Sequence, residues 1–449
     1  MNLKGMRVLV AGLGKTGIAT IRFLLKHGAK VKASDSKRAE EISGSLEELE
    51  KLNVEVETGG HRIETFMNCD LIVTSPGVPL KIDPIQEAAS SGIEVISEIE
   101  LAYRYLNCPI IAITGTNGKT TTTTLIGNIL RDSGKKVWVG GNIGFPLIAG
   151  IDHGQKSEYV VAELSSFQLE GIKEFKPYIS VLLNVSEDHL DRYDTFQDYL
   201  EAKTRIFLNQ ENADYAILNG DDPHVRGWAD KIKAKKIYFS HSKIIEIGAH
   251  MENDLLVYRG LEGEIENINL NGTKVKGKHN RENIMVSMMV ARICGCLPEK
   301  IQDTILKFPG LEHRMEFVKE IDQVAYYNDS KATNVGAMVM AMESFQEPII
   351  LIAGGKDKGL DFSPLKDLIK KRVKLLILFG EAREKINQIL GNFTTTRLVG
   401  NLEEAVTLAR AKASPNDVVL FSPGCASFDM FINYEERGKL FKNLVKNLN

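Results

Sequence analysis

The chain has 449 residues, more than one ordinary hydrophobic core holds, so several domains are expected. With 43% apolar and 26% charged residues and a formal charge of −3, it has a globular composition and no basic footprint for nucleic acid. No window approaches the ~18 uninterrupted apolar residues of a membrane span, and the first residues run into a strand without a leader pattern, so the cytoplasm is expected.

Apolar runs of strand length alternate with helix-period segments, the pattern of parallel sheets covered by helices. The first block opens with a strand at Arg7–Ala11, the glycine turn Gly12-Leu13-Gly14-Lys15-Thr16-Gly17, a helix over Ile18–His27 and a strand at Lys30–Ala33, with Asp35 just beyond. Taken alone, a glycine turn with an acidic residue ~20 positions on fits a dinucleotide fingerprint. The physics asks only for a diphosphate at a helix N-terminus and a carboxylate near a ribose, which a UDP-sugar supplies as well as NAD does. The block continues through a strand at Leu71–Thr74 and closes near Asn107-Cys108-Pro109, where proline punctuates the chain.

A strand at Ile110–Thr114 opens the second block. Gly115-Thr116-Asn117-Gly118-Lys119-Thr120-Thr121 and a helix to about Leu130 follow. Strand, glycine loop and helix in that order make a phosphate cradle: backbone N–H groups approach the phosphates, Lys119 reaches the terminal ones and Thr120 can ligate Mg²⁺. The pattern departs from GxxxxGK[ST], because Ile113 stands five before Gly118. Mg·ATP also needs oxygen ligands at neighbouring strand ends. Glu163, after the apolar run Tyr159–Ala162, is placed like an acidic ligand of this kind, and His189, in the loop after Ile179–Leu183, stands at the same sheet edge. Between about Lys236 and Lys276 the βα rhythm gives way to short alternating stretches such as Leu255–Tyr258, read as antiparallel strands, before a helix from Glu282 to Cys294. Cys294 and Cys296, two apart on that helix, would face different ways. The five cysteines lack zinc-type pairs and read as buried, reduced thiols.

The third block starts near Phe308-Pro309-Gly310, with strands at Val324–Tyr327, Ile349–Ala353, Leu375–Phe379 and Val418–Phe421 and a last helix from Tyr434 to Leu448. Gly354-Gly355-Lys356-Asp357-Lys358-Gly359 and Ser422-Pro423-Gly424-Cys425-Ala426-Ser427 follow two of these strands. Both are placed to meet a polar ligand, and both are equally readable as glycine turns with solvated lysines.

Several stretches together resemble the Mur ligases of peptidoglycan precursor synthesis, over essentially the whole chain. Gly115–Thr121, Glu163–Leu169, Asn184–His189 and His313-Arg314 belong to the wider ligase superfamily. Gly12–Gly17, Ser75-Pro76-Gly77, Gly140–Gly144, Asn328–Asn334 and Ser422–Ser427 are the more discriminating stretches, found here in order. The resemblance implies an α/β protein of three domains: a Rossmann-like UDP-binding domain over residues 1–107, a central P-loop ATPase-like domain with a small antiparallel part over 108–307, and a Rossmann-like amino-acid-binding domain over 308–449.

It further implies ATP-dependent joining of D-glutamate to UDP-N-acetylmuramoyl-L-alanine through an acyl phosphate, by an enzyme expected to be a monomer with no nucleic-acid or membrane partner. Carried over by residue, Thr16, Asp35 and Ser36 would lie at the uridine diphosphate, with Ser75, Asn142, Ser165 and His189 along the muramoyl substrate. Gly115–Thr121, Asn283, Arg314 and Asp329 would hold ATP. Two Mg²⁺ sites would draw on Thr120, Glu163, His189 and Lys203, the last as a carbamate, and Lys119, His189, Lys203 and Arg314 would serve catalysis. On the sequence alone Lys203 reads as a solvated helix lysine. Thr333, Lys358, Ser427 and Tyr434 would meet D-glutamate, although Tyr434 stands where the family has phenylalanine and Lys356 where one version of the motif is acidic. Another Mur ligase, a folylpolyglutamate synthase and a nicotinamide-responsive P-loop switch are the competing readings.

Overall fold

The computed structural model describes residues 1–154, 156–188, 192–275 and 277–448. They form two compact units, Met1–Asn269 with Asn283–Ile305, and Leu270–Glu282 with Leu306–Asn449.

The first unit contains two sheets. Strands β1 (Arg7–Ala11), β2 (Lys30–Ser34), β3 (Glu55–Glu57), β4 (Leu71–Thr74) and β5 (Glu94–Ser97) pair in parallel in the order β3-β2-β1-β4-β5. Alternate residues of β1 enter different cores: Val8 and Val10 one cluster, Leu9 and Ala11 the other. This two-sided burial explains why Arg7–Ala11 reads as a continuous apolar run instead of an alternating one. The chain reverses its winding between β1 and β4, which opens a crevice beyond their carboxyl ends.

The second sheet contains β6 (Ile110–Thr114), β7 (Val137–Gly141), β8 (Tyr159–Glu163), β9 (Ile179–Leu182), β10 (Tyr215–Asn219), β11 (Lys235–Ser240), β12 (Gly248–Glu252), β13 (Leu255–Arg259) and β14 (Ile265–Asn269). Their order is β14-β13-β12-β11-β10-β9-β6-β8-β7, so β6 lies between β8 and β9. Pairing is parallel from β7 as far as β12 and antiparallel from β12 to β14. The expected antiparallel part is therefore β12–β14, while β11 still belongs to the parallel set. Asn253, at φ 57°, supplies the left-handed residue that the two-residue turn between β12 and β13 requires.

In the second unit β15 (Glu316–Ile321), β16 (Val324–Asn328), β17 (Ile349–Gly354), β18 (Val373–Phe379), β19 (Thr395–Leu398) and β20 (Val418–Phe421) are ordered β15-β16-β20-β17-β18-β19. Only the β15–β16 pair is antiparallel. Leu351 and Ala353 face one core, Ile350 and Ile352 the other.

The α/β class agrees with the expectation, with three local corrections. The first helix is Lys15–Lys26, because Gly14 is its N-cap and the expected loop residues Lys15–Gly17 form its first turn. The helix expected from Glu282 begins at Lys278, its polar first turn carrying no apolar periodicity. That helix ends at Ile293, so Cys294 and Cys296 lie beyond it, and both are buried. Among the described residues no helix is long and apolar enough to cross a membrane.

Candidate active site

At the crevice of the first sheet, Gly12 sits at φ 89°, and a Cβ there would meet Ser75 Cβ at 2.9 Å and Val78 Cγ2 at 2.8 Å. A Cβ on Gly17 would lie 1.9 Å from the Gly12 carbonyl oxygen, so the turn packs against its own helix and admits no side chain at either glycine. Ser75, buried, donates to the Gly12 carbonyl at 2.8 Å. Asp35 is buried too, its Oδ2 accepting from Leu13 N–H at 2.7 Å and its Oδ1 from Lys37 N–H at 2.9 Å. The carboxylate thus shapes the glycine turn. Thr16 is half-buried in the first helical turn, and Ser36 is exposed.

In the second sheet the Gly115–Thr121 loop follows β6, with Gly115 at φ 150° and Gly118 at φ 87°. A Cβ on Gly118 would meet Asn283 Oδ1 at 2.5 Å. Asn283 is buried and also accepts from Thr122 Oγ1 at 3.0 Å, which fixes the helix Lys278–Ile293 against the loop. On the β9 side, Thr116 N–H donates to the Asn184 carbonyl at 2.9 Å and Asn117 N–H to Asn184 Oδ1 at 2.9 Å. Lys119 Nζ donates to the carbonyls of Gly115 and Thr116 at 2.8 and 2.9 Å. Lys203 Nζ reaches the same Gly115 oxygen at 2.9 Å, 4.5 Å above the Tyr199 ring. Lys203 is only 2% exposed, so the solvated reading from sequence fails. Burial first, and then the Lys119 charge, push its ammonium well below the ordinary lysine range, against a smaller raising effect of Asp188.

On the β8 side Glu163 ends its strand as a buried carboxylate. Its Oε1 accepts from Asn142 Nδ2 at 2.9 Å, while Oε2 is buried without a partner among the described residues. Thr120 is half-buried in the first turn of the helix Lys119–Asp132, and Thr121 is buried. Ser165 caps the short helix Ser166–Glu170. His189 lies outside the described residues. Among those described, no group of three or more His, Cys, Asp or Glu side chains stands ready for a metal.

In the second unit the ends of the neighbouring strands β16, β20 and β17 carry the loops singled out in the sequence. Asp329, buried, accepts from Ser422 Oγ at 2.9 Å and Met315 N–H at 3.2 Å, and burial raises its carboxyl to about 7 against these bonds. Ser427 is buried, Thr333 and Arg314 are half-buried, and Lys358 is exposed. Lys331 Nζ lies 3.8 Å over the ring of Tyr434. Lys356 bonds Glu381 at 2.6 Å, an exposed pair.

Family models match in chain order: the Mur ligase MurD-like N-terminal domain over residues 6–97, the Mur ligase middle domain over 113–291 and the Mur ligase glutamate ligase domain over 313–425. The UDP-N-acetylmuramoylalanine--D-glutamate ligase of Geotalea uraniireducens (strain Rf4) is 50% identical over 448 residues, covering 100% of this chain and 99% of the relative. The chain belongs to the Mur ligase family. A similarly named ligase of Geotalea daltonii is 49% identical over 448 residues, with 100% of this chain and 99% of that one covered. The solved structure of MurF ligase from Thermotoga maritima in complex with ADP shares the fold at a TM-score of 0.63 and 17% identity, over 99% of this chain and 96% of that one.

Two arginines of this Mur ligase escaped the sequence reading. Arg192 donates to the carbonyls of Pro76 at 2.8 Å and Val78 at 3.3 Å, bonds Glu170 at 3.2 Å and lies 4.1 Å over the Phe167 ring. It therefore fastens the Ser75–Gly77 turn to the segment bearing Ser165. Arg437, 1% exposed, donates to Ser330 Oγ and to the carbonyls of Ser330, Cys425 and Ala426 at 2.7–3.1 Å. Burial lowers its guanidinium to about 10. The signal for Arg437 was present, because Arg437, Phe441 and Val445 recur every fourth residue on one buried helix face. For Arg192 no local pattern existed, since its partners lie far away in sequence.

Proposed function

We propose that this chain is an ATP-dependent ligase that joins D-glutamate to the L-alanyl carboxylate of UDP-N-acetylmuramoyl-L-alanine in peptidoglycan precursor synthesis. The full-length similarity to D-glutamate ligases supports the substrates. The observation that carries the chemistry is the Gly115–Thr121 loop, with two lysines on one carbonyl and, at the next strand end, a buried carboxylate oxygen that has no partner among the described residues.

An amine cannot displace oxide from a carboxylate, so the carboxylate must first acquire a leaving group. Its oxygen attacks the γ-phosphorus, the bond from that phosphorus to the β,γ-bridging oxygen breaks, and ADP leaves an acyl phosphate. The D-glutamate amine, unprotonated, then attacks the acyl carbon; the tetrahedral intermediate loses the amine proton and expels phosphate. Loop N–H groups and Lys119 hold the phosphates, and Arg314 is proposed as a further catalytic residue. Thr120 and the free Glu163 oxygen would hold Mg²⁺, with His189 and a carbamylated Lys203 proposed for a second ion; the metal supplies charge neutralisation and phosphate orientation. The depressed Lys203 ammonium favours the neutral amine that carbamylation needs: nitrogen bonds to the CO₂ carbon and releases one proton. Asn283 and Asp329 are proposed to serve ATP, and Thr16, Asp35, Ser36, Ser75, Asn142 and Ser165 the UDP-substrate. Thr333, Lys358, Ser427 and Tyr434 are proposed to receive D-glutamate. The reading takes the enzyme as a monomer acting in the cytoplasm.

A coupled assay tests it. ADP should appear only when ATP, UDP-N-acetylmuramoyl-L-alanine and D-glutamate are all present, and ADP release indifferent to D-glutamate would refute the assignment.

A further inference from the structure

The first unit holds a cavity that shares no residue with those assigned to substrate, phosphate or metal. It measures about 550 Å³, inside the range of roughly 300–1,000 Å³ in which small molecules are bound. Its walls come from the segment Pro79–Lys81 beyond β4, from the helix Phe196–Thr204 with the turn after it, and from the stretch between Trp228 and Lys233. Leu80, Phe207, Trp228 and Ile232 make much of that wall apolar.

Five cationic side chains line the cavity against three carboxylates. The carboxylates are all engaged: Glu170 accepts from the Tyr193 hydroxyl at 2.6 Å and Arg192 at 3.2 Å, Asp198 from Thr195 Oγ1 at 2.8 Å, and Glu201 from Gln197 Nε2 at 3.0 Å. The cations have donors to spare. Arg205 gives Nε to the Leu169 carbonyl and Nη2 to the Ile172 carbonyl, both at 2.9 Å, which leaves Nη1 without a hydrogen bond among the described residues. Burial lowers its pKa, and the carboxylate that opposes this is Glu170, already taken by Arg192 and Tyr193. Lys231 lies 3.8 Å over the Trp228 ring, and Lys233 is exposed with no ion pair among the described residues. An anion with a flat apolar body therefore complements the site: the charge meets the spare donors and the ring lies among Phe207 and Trp228.

The helix Phe196–Thr204 separates this cavity from the Gly115–Thr121 loop. Asp198, Glu201, Ala202 and the C-cap Arg205, spaced i, i+3, i+4 and i+7, line the cavity from one helical face. Tyr199 and Lys203, four apart on another face, meet the loop. The Tyr199 hydroxyl lies 3.3 Å from Thr116 Oγ1, and Lys203 Nζ donates to the Gly115 carbonyl at 2.9 Å.

We propose that the cavity is a regulatory site for an aromatic monoanion, a planar ring system bearing one carboxylate, and that its occupancy tightens nucleotide binding through this helix. The coupling rests on the reading of the Gly115–Thr121 loop as the ATP site. ATP draws Lys119 away from the Gly115 carbonyl, and Lys203 on the same oxygen keeps that acceptor bonded. An occupant that steadies the helix holds Lys203 there in advance, so the nucleotide has less to order.

Calorimetry on the full chain tests this with 2-naphthoate as the probe and uncharged 2-naphthamide as its control. Naphthoate should bind one to one, and the amide at least tenfold more weakly. With 5-fluorotryptophan incorporated, the two tryptophans give two ¹⁹F resonances, and only that of Trp228 should move. The double variant Lys231→Ala/Lys233→Ala should weaken naphthoate several-fold, with the thermal transition and the affinity for Mg·ATP alone unchanged. No saturable binding, equal binding of acid and amide, or a shift confined to Trp138 would overturn the site. Should the double variant fail to fold, the comparison of acid and amide on wild type decides the need for charge. Saturating naphthoate should tighten Mg·ATP by about fivefold, and saturating Mg·ATP should tighten naphthoate by the same factor. Binding at Trp228 that leaves Mg·ATP affinity unchanged would overturn the coupling. Failure of Mg·ATP to bind with or without the probe would overturn the ATP reading and the coupling with it, while the naphthoate titration still judges the cavity.

Discussion

Replacing Lys203 by methionine should separate stability from catalysis. The ammonium is buried against Gly115 and Lys119, and its hydrogen bond goes to a carbonyl, not a carboxylate. Its pKa is depressed in the folded state, so the unfolded chain binds the proton more readily. Stability therefore falls as pH drops below the unfolded value of about 10.4 and levels off below the folded pKa. Each unit of depression corresponds to about 1.4 kcal/mol, while the lost hydrogen bond is worth about 1 kcal/mol. Methionine keeps the apolar stem and removes the charge. The variant should then be at least as stable as wild type at pH 7, with a lead that shrinks as the pH approaches 10, yet kcat should fall by on the order of 10²-fold or more, as for loss of a group that stabilises transition-state charge. Urea unfolding across that pH range and the ADP-release assay read the two effects separately. A pH-independent loss of stability, or full activity, would show that the ammonium is an ordinary structural cation. In Lys203→Ala, excess formate or acetate should restore part of the activity by occupying the proposed anion site.

Removing Arg192 should act on the UDP-substrate, because its bonds to Pro76 and Val78 set the Ser75–Gly77 turn: Arg192→Ala should raise the apparent KM for that substrate several-fold and leave the KM for D-glutamate nearly unchanged, and equal shifts would contradict the geometry. The two lysines of the Gly354–Gly359 loop should behave differently in steady-state kinetics. Lys358→Ala should raise the KM for D-glutamate more than that for ATP, whereas Lys356→Ala, which breaks only the exposed pair with Glu381, should change neither appreciably.

Residues with a strong local cause were legible in the sequence. Strands β1, β4, β6 and β20 stand where their apolar runs put them, because each is buried on both faces and bounded by glycine, proline or polar residues. β3, with the sequence Glu-Val-Glu, and β19, with Thr-Thr-Arg-Leu, were not anticipated: both are edge strands, where one missing neighbour leaves Glu55, Thr395 and Arg397 exposed and polar residues interrupt the apolar signal. In the candidate site, the strand-loop-helix order around Gly115–Thr121 is the one the sequence led to, and Glu163 stands at the strand end expected of it. The burial of Lys203 was not, because it depends on a carbonyl 88 positions away. The part Asp35 plays in the glycine turn was hidden for the same reason, since its bond to Leu13 spans 22 residues.

Arg437 has a consequence for how such enzymes diversify. Three of its four acceptors are main-chain carbonyls, and a carbonyl at position 425 or 426 is the same acceptor whichever side chain that residue carries. The guanidinium therefore fixes the path of the chain next to Ser427 without dictating the identity of the residues along it. The side chains proposed to receive the amino acid could be exchanged on this mount while the mount itself stays put. The terminal helix that carries the arginine would hold the loop in place through such exchanges.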